Sequence, residues 1–218
     1  MEDMARAAMA KGYQYVGITD HSESLRIANG LDEGRLRQNI EKARALTATL
    51  GGIHVLIGAE VEIDERGKLD YPSPVLEGLD YVIGAVHTRF KMSETEMTAR
   101  LLTAISNDHL NILAHPTGRA IGQREAYPVD MEKLLDEAKA KQVFLEVNSF
   151  PERLDLNDRH CRMARDNGNM LVVNTDSHHP SHLDNMVYGV AQARRGWVGP
   201  DQVLNTLSLA GLERALRH

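Results

Sequence analysis

The chain has 218 residues, a mass of 24.3 kDa and 42% hydrophobic residues, enough for one sizeable core in a single α/β sheet or barrel domain spanning 1–218. A net charge of -6 and a pI near 5.9 repel polyanions, which excludes tight autonomous binding to duplex nucleic acid and leaves local or metal-assisted contact. The single cysteine, Cys161, excludes an internal disulfide and a thiolate zinc cluster, and without a signal peptide or long apolar span a soluble cytoplasmic chain with no membrane contact is expected.

Met4, Ala7, Ala8 and Lys11 recur at helical spacing, predicting a helix over 2–11 that Gly12 terminates. A strand over 15–19 follows and ends in Asp20-His21-Ser22. Leu36, Ile40, Ala43 and Leu46 form the apolar stripe of a helix over 32–50, stopped by Gly51-Gly52. The next strand, 53–59, delivers Glu60 and, facing the same way, Glu62. After a charged turn and a short helical crossover opened by Pro72 and Pro74, the apolar strand 81–86 ends in His87.

Ser93 with the acids Glu94 and Glu96 caps a helix reaching 106, whose apolar face is Met97, Leu101, Leu102 and Ile105. The strand 111–114 ends in His115-Pro116. An amphipathic helix over 131–141 precedes the strand 143–148, and a helix over 159–167 precedes the apolar run 170–173. That run is bounded by Gly168-Asn169 and leads to Asp176 and His178, which point to one side if the chain stays extended. A helix over 184–195 and a helical pair over 200–216 complete the chain.

Short strands alternating with helices predict a parallel sheet in which function collects at the C-terminal strand ends. Those ends carry His21, Glu60, His87, His115, Asp176 and His178. Any one such histidine is more often an ordinary core or surface imidazole, but five strands ending alike point to a metal site. Mixed nitrogen and oxygen donors suit Zn, Mn or Fe, and six donors exceed what one zinc needs, so more than one ion with a bridging carboxylate is expected. His54, His109, His160 and His218 lie away from the strand ends and are expected outside the site, with His179 and His182 at its border. Asp20, Glu62, Glu146 and Asn148 are placed to orient imidazoles or substrate, and Asp20 joins the expected catalytic set. Arg26, Arg89, Arg119, Arg124 and Arg153 lie just past strand ends and would form a locally positive mouth for an anionic substrate, with Arg89 and Arg119 neutralising phosphate oxygens.

The succession Thr19-Asp20-His21-Ser22, Gly58-Ala59-Glu60-Val61-Glu62, Ala85-Val86-His87-Thr88, Leu113-Ala114-His115-Pro116 and Asn174-Thr175-Asp176-Ser177-His178 resembles the PHP (polymerase and histidinol phosphatase) family of metal-dependent phosphoesterases. Leu69-Asp70-Tyr71-Pro72, His87-Thr88-Arg89-Phe90 and Arg153-Leu154-Asp155-Leu156 resemble the C-terminal PHP domain of bacterial and archaeal X-family DNA polymerases. The resemblance implies a distorted (β/α)7 barrel with up to three metal ions and Mn-dependent 3′-to-5′ exonuclease or 3′-end processing, with DNA 3′ ends and a polymerase domain of the same parent chain as partners. It implies that His21 and His178 share one ion, that Glu60, His87 and His115 hold a second, and that Glu60 bridges to a third held by Asp176. The family's first strand, with its His-x-His, is missing ahead of Met1, so a fragment with fewer ions and unpaired edges on the 15–19 and 170–173 strands is expected. Two other readings stay open: a non-catalytic metal-binding or docking module, and a small-molecule phosphatase of the histidinol phosphatase type.

Overall fold

The structure, a computed structural model, describes residues 1–217, and His218 lies outside them. Among the described residues, six parallel strands pair in sequence order as a curled half-barrel: β1 (Tyr15–His21), β2 (His54–Glu62), β3 (Tyr81–Ala85), β4 (Ile112–Leu113), β5 (Phe144–Asn148) and β6 (Leu171–Asn174). The six strands agree with the distorted barrel architecture expected from the sequence. The connecting helices are α1 (Glu2–Ala10), α2 (Glu33–Leu50), α3 (Ser73–Leu76), α4 (Glu94–Ile105), α5 (Met131–Ala140), α6 (Asp158–Asn167), α7 (Met186–Arg195) and α8 (Leu209–Leu216). No helix among the described residues is long and apolar enough to cross a membrane.

Local chemistry explains the helix ends. Ser93 and Glu96 form a reciprocal capping box on α4, the Asp32 carboxylate accepts from Arg35 N at 2.8 Å on α2, and Gly168 ends α6 in a left-handed turn at φ 81°. Alternate residues of each strand divide between two cores. Ala59, Val61, Val82, Leu113, Leu145, Val147 and Val173 pack on the side of α4, α5 and α6, and Leu56, Tyr81, Ile83, Ile112, Phe144 and Val172 form the inner face with Leu212 and Leu216 of α8. Gly17 and Gly58 leave room for the Tyr81 ring, since a Cβ at Gly17 would lie 2.4 Å from its hydroxyl. The inner face is therefore apolar where the strands begin. Where they end it becomes ionisable, with Glu60 in register with His21.

Two regions depart from the expected pattern. Instead of a helical pair over 200–216, two short 3-10 turns precede the single helix α8, because residues 203–205 serve the open edge of β6. Val203 bridges Leu171, while the Asn205 side chain accepts from Val173 N at 2.7 Å and donates to Val173 O at 2.9 Å. The edge expected to be unpaired on this strand is thus covered by the chain's own tail. The second departure follows β6: Asp176 has a left-handed backbone (φ 50°), so the extended conformation that would align Asp176 with His178 stops at Asn174.

Candidate metal centre

Glu60 is the hub of the site. At the end of β2, its Oε1 lies 3.2 Å from His87 Nε2 and 3.2 Å from His115 Nε2, and its Oε2 lies 3.8 Å from His21 Nδ1. The His21 and His87 rings, and the His87 and His115 rings, sit edge to face with centroids 5.3 Å apart. Parallel register does the positioning, since β1, β2 and β3 end side by side and His21 closes β1, Glu60 lies opposite it two residues before the end of β2, and His87 follows two residues after β3.

A layer of polar groups holds these side chains in place. Glu62 receives His87 Nδ1 at 2.8 Å, Thr88 Oγ1 at 3.0 Å and His87 N at 3.3 Å. Behind it lies Arg100 of α4, whose side chain is fully buried and donates to the carbonyls of Ile63, Asp64 and Thr88, with a nitrogen 3.8 Å from Glu62. On the other flank Glu146 accepts from His115 N at 2.7 Å, Asn174 Nδ2 at 2.9 Å and Asn148 Nδ2 at 3.2 Å. Asn148 also donates to Asp176 at 3.1 Å, and the Arg153 guanidinium lies 3.3 Å from the same oxygen.

The electrostatics follow from these contacts. Burial opposes charge on His87, yet its hydrogen bonds to Glu60 and Glu62 prevail and raise its pKa to about 9. Glu60 is likewise penalised by burial, but His115 and His87 hold it well below the usual carboxylate range. His21 goes the other way, its pKa lowered by burial against the pull of Glu60. Burial raises Glu146 to about 7, with nearby Asp176 and Glu60 adding to the effect.

His21, Glu60 and His87 each offer a ligand atom within 4.8 Å of the others. His21 Nδ1 is buried without a hydrogen-bond partner. Its 3.8 Å separation from Glu60 is too long for a hydrogen bond and short enough for two ligands of one ion, which at bonds of about 2.0–2.2 Å stand no more than about 4.4 Å apart. The donor set fits a divalent cation of the Zn or Mn type.

The structure does not bring every expected residue to this cluster. His178 is 67% exposed, and its Nδ1 lies 2.9 Å from Asp176 O, away from Glu60. Asp20 points to the opposite side of the sheet from His21 and accepts from Asn39 of α2 at 2.8 Å. Arg89 is 71% exposed and pairs with Glu65 at 3.4 Å, while Arg119 spends its guanidinium on the carbonyls of Arg153 and Leu154. Arg153 reaches Asp176, at 3.3 Å. Arg26 sits in a 3-10 turn after β1, and Arg124 lies over the Phe90 ring.

His179 accepts from Ser181 N at 3.3 Å, and His182 accepts from His178 N at 3.3 Å, so both shape the loop that carries His178. His54 opens β2, His109 follows α4 and His160 lies on α6. The pattern had not pointed to Arg100 or Asn174. Arg100 nevertheless stands at helical spacing with Met97, Leu101 and Ala104 on the buried face of α4, and a charge on an apolar stripe is the signal that marks it.

Comparison with known proteins agrees with this geometry. Residues 1–150 match the PHP domain family. The chain is 43% identical over 217 residues to the DNA polymerase/3'-5' exonuclease PolX of Bacillus subtilis (strain 168), which covers 100% of the chain but only 38% of that protein's length. It is 31% identical over 212 residues to a probable phosphatase of Thermoanaerobacter sp. (strain X514), covering 93% of the chain and 82% of the relative. The crystal structure of histidinol phosphate phosphatase from Lactococcus lactis subsp. lactis Il1403, complexed with Zn, L-histidinol and phosphate, superposes with a TM-score of 0.64 over 90% of this chain and 87% of that one, at 17% identity, a likeness of fold. The chain therefore belongs to the PHP-domain family of phosphoester hydrolases.

Proposed function

We propose that the chain cleaves phosphoesters at DNA 3′ ends, as a 3′-to-5′ exonuclease or 3′-end-processing unit joined to a polymerase domain in a cytoplasmic parent protein, with 1–218 acting as one domain. The observation that carries the reading is Glu60, one carboxylate facing three imidazoles from three strands. Identity of 43% along the whole chain supports the polymerase-linked assignment. Mn is the preferred ion in this reading, with Zn and Fe as competitors for the same nitrogen and oxygen donors. Bound divalent cations supply the Lewis acidity that ionises water near neutral pH and neutralises phosphate charge.

The chain's own residues do the rest. His21, Glu60, His87 and His115 are the proposed ligands, with Asp176 and His178 joining from the loop after β6. Glu62 keeps a proton on His87 Nδ1, which leaves Nε2 as that ring's ligand atom. Arg153, beside Asp176, is placed to meet a non-bridging phosphate oxygen.

The test is a 5′-labelled oligonucleotide incubated with metal-stripped protein given Mn, Zn or Fe. Stepwise shortening restored by metal and absent in chelator is expected. Equal shortening in chelator would refute the mechanism. A small-molecule phosphatase is the second reading, favoured by the Thermoanaerobacter relative's name and 82% coverage. Turnover of phosphomonoesters with oligonucleotides left intact would select it, while one bound ion per chain with no turnover of either would select a docking module.

A further inference from the structure

A cavity of about 280 Å³ is lined by Gln123, Arg124, Phe150, Arg153, Asp176 and His178, and Asn148 links its Asp176 to Glu146 behind the Glu60 cluster. Its size falls just below the range of cavities that enclose whole small ligands, room for one nucleoside and not for a stack of them. The Phe150 ring is steadied by the His182 ring, edge to face with centroids 5.6 Å apart. Arg124 is fixed as well. Its guanidinium lies 3.7 Å from the centre of the Phe90 ring, its Nε donates to Gly118 O at 2.9 Å, and among the described residues no carboxylate pairs with it. Of the two acids on the wall, Asp176 faces Arg153 at 3.3 Å and Glu152 accepts from Gln123 Nε2 at 3.3 Å. An aliphatic amine would require a free carboxylate here. The wall instead presents an aromatic face, an amide and a guanidinium without an anionic partner.

We propose that this cavity is a nucleoside subsite: the base of a terminal nucleotide packs on Phe150, its polar edge meets the Gln123 amide, and its phosphate lies toward Arg153 and Asp176. The proposal rests on the phosphoesterase reading above and narrows its substrate to base-bearing phosphoesters. An aromatic platform accepts all four bases, so recognition is for the presence of a base and not for its identity.

The experiment titrates the full chain calorimetrically with thymidine 5′-monophosphate and with deoxyribose 5-phosphate, in wild type, Phe150→Ala and Phe150→Trp. The nucleotide is expected to bind wild type roughly ten- to hundredfold more tightly than the base-free ester. That advantage should vanish in Phe150→Ala and return in Phe150→Trp. Equal affinities in wild type, or an advantage that survives Phe150→Ala, would overturn the subsite. Metal-dependent hydrolysis of deoxyribose 5-phosphate by wild type separates the two claims. Turnover of the base-free ester without a base advantage removes the subsite and leaves the phosphoesterase standing, and a base advantage without hydrolysis of any ester does the reverse.

Discussion

Replacing Arg100 by methionine tests whether the centre is held from behind. The side chain is fully buried on α4, donates to Asp64 O at 2.8 Å and Thr88 O at 3.0 Å as well as to Ile63 O, and is the guanidinium beside Glu62. Methionine fills much of the volume but leaves three carbonyls without their donor and Glu62 without the guanidinium beside it. Removing one member of a buried charged pair destabilises by about 3–5 kcal/mol, the loss being dominated by the group left behind. Set against a total of about 5–15 kcal/mol for a domain, that is a large share. Urea denaturation of metal-free Arg100→Met, Arg100→Lys and wild type reads the loss directly. Lysine should recover only part of it, because a single ammonium does not span carbonyls after two different strands. An unfolding free energy for Arg100→Met within about 1 kcal/mol of wild type would refute the clamp.

Three further expectations follow from the same contacts. In the metal-free protein His87 titrates at about 9, above its unfolded value of about 6.5, so its stabilising contribution is complete below about pH 6.5 and is lost as pH rises through 9. Its Nε2 proton must leave before a cation binds, and metal affinity should climb about tenfold per pH unit up to that value. Titrations at pH 6, 7 and 8 that give one constant would contradict the assignment. Glu146 has the opposite sign: its pKa is raised from 4.5 to about 7, so ionising it works against the fold and metal-free stability should fall as pH rises from 4.5 to 7, by about 3 kcal/mol in all. Glu146→Gln should flatten that decline in thermal melts, and an unchanged slope would show that Glu146 is not the group responsible. Asn205→Ala should deprotect the Val173 amide in hydrogen exchange and destabilise the fold by about 1–3 kcal/mol, since both Val173 backbone groups lose their partner. Unaltered protection would mean that water or Val203 closes that edge unaided.

The pattern of the chain made the scaffold readable because its two periods are cleanly separated. Apolar runs such as 53–59 and 81–86 are strands buried on both faces, and each ends abruptly in a donor, so Glu60, His87 and His115 could be located by position alone. Contacts that depend on distant backbone were not legible in the same way. Arg119 was expected to meet phosphate, but its guanidinium closes on carbonyls 34 and 35 residues away, a destination no local period encodes. Asp20 illustrates the limit within a strand, for adjacency to His21 places it on the opposite face, toward Asn39. The tail misled for a related reason. Residues 203–205 have to continue β6, and that demand outweighs helical spacing.

The centre is unevenly prepared, and the sheet explains why. Glu60, His87 and His115 come from strands with a neighbour on each side, and each has a fixed partner in the layer behind it: Glu62 and Arg100 for His87, Glu146 for the backbone of His115. His21 and the Asp176–His178 loop belong to β1 and β6, the two edges of the sheet. There Asp176 is drawn to Arg153 and His178 faces solvent, while His21 Nδ1, like His115 Nδ1 on an inner strand, has no hydrogen-bond partner. A cation arriving at Glu60 meets the Nε2 atoms of His87 and His115 already facing that carboxylate, whereas recruiting Asp176 means competing with Arg153 for one of its oxygens. The first ion should therefore bind at the inner strands. Any further ion should bind more weakly, and by displacing Arg153 it would free a guanidinium beside the place where phosphate is expected.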